Sequence, residues 1–172
     1  VIASVAYEDE NASAIAITHD DQLIIRSISA VRFSASGLAG TQSATVASCE
    51  VTVNEVSTAM TVSGSGAVVQ GVSIDSAWDV EAVITVTDSR GLTASKSVTV
   101  SMLDWVAPTA LITLERQNNF YTLTYITVDA QYSYLNGENT ISIAYKAKQV
   151  GTSTWTVSGT LQDNVQDSFN AD

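Results

Sequence analysis

The sequence has little of what most active sites are built from. Its 172 residues include one cysteine, one histidine and one proline. With Cys49 alone, no disulfide can form within the chain, and one cysteine with one histidine cannot supply the several ligands of a zinc site. The Gly-x-Ser-x-Gly motif of α/β-hydrolases does not occur. His19 follows Thr18 in a predicted turn, where we expect a surface histidine. These absences predict a chain that is not an enzyme.

Basic residues are also scarce. Seven Lys and Arg stand against 18 Asp and Glu, which gives a net charge of −11. Nucleic acids and anionic membranes require clustered Lys and Arg, so we expect neither as a partner. An acidic surface keeps a protein soluble; the alternative is a surface that binds cations or a basic partner.

Long apolar runs are missing. No stretch approaches the roughly twenty apolar residues of a membrane-spanning helix, and no signal peptide is visible. The chain begins at Val1 rather than at methionine, and it ends soon after a strand-like segment. We therefore expect a part of a longer polypeptide.

What the sequence does have is alternation, most clearly around residues 83–108. Apolar side chains fall at every second position over residues 78–86 and again over residues 92–102. Between them lies Asp-Ser-Arg-Gly at residues 88–91, where the aspartate can cap the turn and the glycine accepts a positive φ. This pattern predicts an antiparallel hairpin whose first strand begins at Trp78, with Trp78 on the same face as Val80, Ala82, Ile84 and Val86.

A domain boundary is predicted directly after this hairpin. Pro108 cannot donate to a strand ladder, and it favours extended geometry at Ala107. We therefore divide the chain into domains at residues 1–104 and 105–172. At this boundary the net charge splits into −8 and −3.

The first domain has about seven to nine short strands at the spacing of a β-sandwich. Cys49 shares a predicted strand face with Ala47, Val51 and Val53, which indicates a small buried hydrophobe rather than a nucleophile. Besides the hairpin, the predicted strands are residues 1–7, 12–18, 23–33 (irregular near 27–30), 45–53, 57–63 and 68–74.

The second domain has five or six predicted strands, as in a smaller or incomplete sandwich. Its Asn136-Gly137 pair is typical of a tight reversal. The predicted strands are residues 109–115, 120–134, 140–147, 154–161 and 164–169. The fold class expected for the whole chain is all-β, with two antiparallel β-sandwiches in tandem.

Two kinds of binding site are conceivable. No cofactor is expected, and no EF-hand spacing occurs; the alternative is calcium, because hard cations take oxygen ligands from loops. Its candidate ligands are Glu8, Asp9, Glu10, Asp20, Asp21, Asp88 and Asp104. Glycans stack on exposed aromatic rings; Tyr132 and Trp155 are the leading candidates, beside Tyr121, Tyr125 and Tyr134. Solvated turns and cross-strand packing are the alternatives for these two sets.

The order of features is similar to that of a known family. In residues 21–53 a strand with a serine-rich centre leads into an Ala/Gly loop at residues 36–40 and then into another strand. Residues 83–108 end in a Leu-Asp-aromatic-x-x-Pro junction. Residues 137–155 contain an Asn-Thr strand, a Tyr-Lys strand and a Ser-Thr-Trp segment. The chain resembles the Ig-like modules of siphophage (tailed bacteriophage) tail and tail-fibre structural proteins.

Two positions depart from that pattern: Cys49 and Trp105 stand where tyrosine is usual. The resemblance implies two tandem Ig-like or fibronectin-III-like domains in a non-enzymatic component of a phage virion tail or tail fibre, acting as a spacer or host-attachment module. The implied partners are other tail proteins, copies of the chain itself (commonly three) and host cell-surface glycans. The alternative is a bacterial surface adhesin, or a carbohydrate-binding module of a secreted protein, located extracellularly or at the cell surface.

Overall fold

The computed structural model describes residues 1–116, 118 and 122–170. The chain divides into two compact units, Val1–Trp105 and Val106–Asp172. Strands make up 54% of it, with one short α-helix among the described residues. The all-β class expected from the alternation is therefore confirmed.

The first unit is one continuous eight-stranded ladder in the order β1-β3-β6-β5-β4-β7-β8-β2. All neighbours are antiparallel except β2 and β8, which run parallel. The elements are β1 (Ser4–Asp9), α1 (Ala12–Thr18), β2 (Leu23–Ile25), β3 (Val31–Ser36), β4 (Val46–Val53), β5 (Val56–Ser63), β6 (Gly66–Val72), β7 (Val80–Asp88) and β8 (Thr93–Leu103).

Strand β5 joins the two layers of this unit. Its residues 56–60 pair with β4, whereas residues 61–63 pair with β6. The ladder thus bends around a single core to which all eight strands contribute. Phe33, Ile24 and Ile84 are completely buried in it. Removing such apolar area from water is the main stabilising term of the unit.

The predicted hairpin is confirmed. β7 and β8 pair in register from Val80 opposite Val100 to Thr87 opposite Thr93. In the turn, Asp88 Oδ1 accepts hydrogen bonds from the backbone N–H groups of Arg90 (2.9 Å) and Leu92 (3.0 Å). The place predicted for Trp78 on the apolar face of the strand is wrong: the strand begins only at Val80, and the Trp78 side chain is 81% exposed.

Residues 12–18, predicted as a strand, form the helix α1 instead. Asn11 caps its N-terminus, since Asn11 Oδ1 accepts hydrogen bonds from the backbone of Ser13 and Ala14 at 3.0 and 3.3 Å. His19 ends the helix in the left-handed conformation, with φ 55°. The two caps favour a helix over the strand that the alternation of Ala and Ile predicts. In this helix Ala14 is buried in the core.

A third correction concerns Ala47. A bulge between Val46 and Ser48 shifts the register of β4 against β7. Ala47 is therefore exposed, whereas Cys49, Val51 and Val53 are buried as expected.

The second unit has two separate sheets among its described residues: β13-β10-β9 and β11-β12, both antiparallel. The predicted strand at residues 120–134 is shorter, and its residues 120 and 121 lie outside the described part. The predicted reversal near Gly137 is a single 3₁₀ turn, Leu135–Gly137. The strands are β9 (Thr109–Arg116), β10 (Leu123–Gln131), β11 (Ile143–Ala147), β12 (Val157–Leu161) and β13 (Asp167–Asn170).

The core of the second unit is small. Ile126, Val128 and Ala130 of β10 and Leu161 of β12 are buried in it. Partly buried residues of β11 and β13 pack around them, including Tyr145 and Phe169, whose ring centroids are 5.7 Å apart. The two-stranded sheet therefore covers β10 and β13.

Candidate functional site

The candidate calcium ligands do not converge. Asp9 is buried (3% exposed), and its carboxylate accepts hydrogen bonds from Asn11 N (2.8 Å), Ala30 N (3.1 Å) and Ser29 Oγ (2.5 Å). Its neighbour Glu8 pairs with Arg32 at 2.7 Å. Asp9 thus joins the end of β1 to the segment that precedes β3, and Glu8 pairs across to β3 itself at the surface.

The remaining acidic candidates lie in other places. Glu10 accepts a hydrogen bond from Gln70, Asp20 caps the turn after α1, and Asp88 lies in the β7–β8 turn. Within the described part of the chain, no three His, Cys, Asp or Glu side chains are close enough together to hold a metal ion.

Arg26 links two carboxylates that the sequence places far apart. Its Nε donates to Asp75 Oδ1 at 2.6 Å, and its Nη1 donates to Asp104 Oδ1 at 3.2 Å. The backbone N–H of Arg26 also donates to Leu103 O at 2.9 Å. Arg26 therefore fixes the last residues of β8 to the loop before β7. Periodicity gave no signal for this cluster, because Asp75 and Asp104 lie outside the predicted strands.

This cluster has a predictable acid response. The hydrogen bond from Arg26 lowers the pKa of Asp75 below its ordinary value, and its positive charge lowers it further. The resulting stabilisation is present above the pKa of the unfolded carboxyl and is lost as the pH falls through the lower folded value. In Arg26→Met we expect the pKa of Asp75 to return towards its ordinary value, measured by NMR titration of the carboxyl carbon.

The matched control is Arg90→Met. Arg90 donates to Asp88 and lowers the pKa of that carboxyl. The control should raise the pKa of Asp88 and leave that of Asp75 unchanged. A pKa of Asp75 that is the same with and without Arg26 would contradict the assignment.

Cys49 is a core residue by its surroundings. It is 3% exposed, its Sγ lies 3.7 Å from Met60 Sδ, and burial raises the pKa of its thiol. The thiolate is the reactive form, so both effects suppress reactivity. We expect Cys49 to react with a disulfide reagent only as fast as the first unit unfolds, and fully in denaturant. Rapid labelling of the native protein would contradict this expectation.

The aromatic candidates fall into two places in the second unit. Tyr132 packs edge-on against Tyr134, with ring centroids 6.3 Å apart, and Tyr134 is 62% exposed. Trp155 is 55% exposed, and its ring lies 4.9 Å from Lys148 Nζ. Tyr125 is half-buried, whereas Tyr121 lies outside the described residues. The exposed rings offer flat apolar surfaces to a ligand.

Each unit also has a cleft. One of about 460 Å³ lies in the first unit, beside Val53, Val56 and Gly71. A larger one of about 670 Å³ lies in the second unit, lined by Leu114, Arg116 and Phe169 among others. The alternation did not reveal the second cleft, because it arises from the way that the sheets overlap.

No helix of the described residues is long and apolar enough to cross a bilayer. Comparison with protein-family models, with curated proteins and with solved structures found no match for this chain.

Proposed function

We propose that this chain is a non-enzymatic structural component of a bacteriophage tail or tail fibre, built of Ig-like modules and acting as a spacer or host-attachment module. The observation that supports the Ig-like part of the proposal is the strand order of the first unit, whereas the tail role rests on the sequence resemblance of residues 21–53 and 83–108. An Ig-like sandwich has strands ABED in one layer and CFG in the other. With β2 left aside and the other strands lettered in chain order, the ladder reads A-B-E-D-C-F-G.

The strand β2 also supports this assignment. It lies between β1 and β3 in the sequence but pairs in parallel with β8, the last strand of the unit. The start of the chain thus contributes to both layers: β1 pairs with β3 and β2 pairs with β8. β2 thus covers part of the outer edge of β8, whose backbone groups would otherwise be unpaired there.

The second unit supports a further, less complete module of the same kind. Lettered in the same way, its sheet β9-β10-β13 corresponds to A-B-E, and β11 and β12 correspond to C and D. The facing sheets enclose one small core, as expected for a sandwich.

The structural role is tested on virions. Antibodies against this chain, visualised by immunogold electron microscopy, should label the tails of intact phage particles. Sedimentation of the purified chain should show an oligomer, with a trimer expected on a tail axis. Absence of label from intact, infectious particles would overturn the proposal.

A second candidate function is glycan binding, as in an adhesin or a carbohydrate-binding module. The exposure of Trp155 and Tyr134 favours it. On a glycan array we expect binding that is lost in Trp155→Ala and reduced in Tyr132→Ala. Trp78→Ala is the matched control, because Trp78 is 81% exposed in the first unit. No binding, or equal loss in the control, would remove this candidate.

A further inference from the structure

The inner face of β9 is apolar and uncovered. Ile112 lies opposite Val128, and Leu114 lies opposite Ile126. Cross-strand partners share a face of the sheet, so both side chains point to the side on which β10 is buried. Yet Ile112 is 58% exposed and Leu114 is 60% exposed, whereas Val128 is 2% exposed.

The reason is the width of the second layer. The two-stranded sheet packs on β10 and β13 through Leu161, Tyr145 and Phe169. Residues of β9 take no part in that core. The three-stranded sheet is therefore wider than the layer that covers it, and the uncovered part adjoins the 670 Å³ cleft.

We propose that this cleft accepts an extended strand of another polypeptide, with apolar side chains at alternate positions and carboxylates at one end. The proposal goes beyond the tail role and does not depend on it. Within the described part of the chain, β11 and β12 pair only with each other, so this sheet has an edge that can pair with an added strand. Alternate side chains of that strand would cover Ile112 and Leu114, which lie two residues apart.

The charges that line the cleft indicate which charge the incoming strand carries at its end. The cleft is lined by Arg116 and Lys148, and none of the described lining residues carries a carboxylate. Neither cation has an ion pair among the described residues. Lys148 instead lies over the ring of Trp155. In a chain of net charge −11, such a cationic lining favours an acidic end of the incoming strand.

The length of the occupant follows from the strand that it covers. β9 spans eight residues, so a probe peptide of about nine residues is long enough. The probe is an acetylated, fluorescein-labelled peptide in which valine alternates with serine and two glutamates form one end. A second probe replaces the glutamates with lysines.

Binding is measured by fluorescence anisotropy on the whole chain, and the site is located by amide hydrogen exchange. We expect saturable binding of the acidic probe, with slower exchange in β11 or β12. Leu114→Asp should abolish binding, whereas Leu111→Asp should preserve it. Leu111 is the matched control, because it is 68% exposed on the same strand but lies opposite Asp129, on the other face.

Reversing the charge of Arg116 tests whether binding requires an acidic end on the peptide. Arg116→Glu should weaken the acidic probe by about tenfold or more and strengthen the lysine probe in return, since a tenfold change corresponds to one charge-assisted contact. Because Arg116 is exposed, the variant should fold, which circular dichroism checks.

Other results would overturn the proposal. These are no saturable binding of the acidic probe, or equal losses in Leu114→Asp and Leu111→Asp. A concentration-dependent dimer with β9 protected in the absence of probe would assign the face to a second copy. Protection of the cleft without probe in a longer form of the protein would assign it to the protein's own chain.

Discussion

Phe33→Ala is expected to lower the free energy of unfolding of the first unit by about 3–5 kcal/mol. The side chain is completely buried and is the largest such group in the described residues. It lies on β3 opposite Tyr7 of β1 and Val69 of β6, so its removal leaves a cavity that rigid strands on both sides keep open. Chemical denaturation followed by circular dichroism measures the loss.

Val56→Ala is the control for this change. Val56 is also on a strand, but it is 67% exposed, so its truncation should cost less than about 0.5 kcal/mol. Native-state hydrogen exchange separates the units, because β6 should lose protection in Phe33→Ala whereas β10 should not. A cost for Phe33→Ala no larger than that of the control would show that the core is packed differently.

Asp9→Ala is expected to cost about 3 kcal/mol, because several donors to a buried carboxylate lose their acceptor together. Asn11 N and Ala30 N lie 2.8 and 3.1 Å from Asp9 Oδ1, and Ser29 Oγ lies 2.5 Å from Oδ2. Ser29 Oγ also accepts a hydrogen bond from Ile25 N at 2.8 Å. The loss therefore affects both the start of β3 and the end of β2.

Asp9→Asn should cost less than Asp9→Ala, because its Oδ1 can still accept the two backbone hydrogen bonds. Asp21→Ala is the matched surface control, since Asp21 is exposed and close in sequence; a change within about 0.5 kcal/mol is expected there. Denaturation midpoints of the three variants give the ranking. Equal stability of Asp9→Ala and Asp21→Ala would rule out a structural role for the buried carboxylate.

The sequence revealed the parts of the fold that local chemistry decides. Alternation with a capped turn was enough for the β7–β8 hairpin, because Asp88 and Gly91 act within their own turn. It failed at residues 12–18, where a run of alternating Ala and Ile fits either period. There the capping contacts of Asn11 decided for the helix.

The candidate sites were less predictable because they depend on tertiary contacts. Arg26 lies next to Asp75 and Asp104 because β2 pairs with β8 in the folded chain. The alternation predicts which side chains of β9 share a face. It does not show that the second layer leaves this face uncovered. Ile112 is exposed because the two sheets overlap only in part. A single sequence does not show how far one sheet extends beyond the other.

The parallel pairing of β2 with β8 has a mechanical consequence. Six antiparallel pairings separate β1 from β8 along the ladder, so β1 and β8 run in the same direction. The chain therefore enters the first unit at one end of its strands and leaves it at the other. Tension applied between these points would load the β1–β3 and β2–β8 hydrogen bonds along the strand axis, so we expect the bonds of each pair to break together rather than one after another.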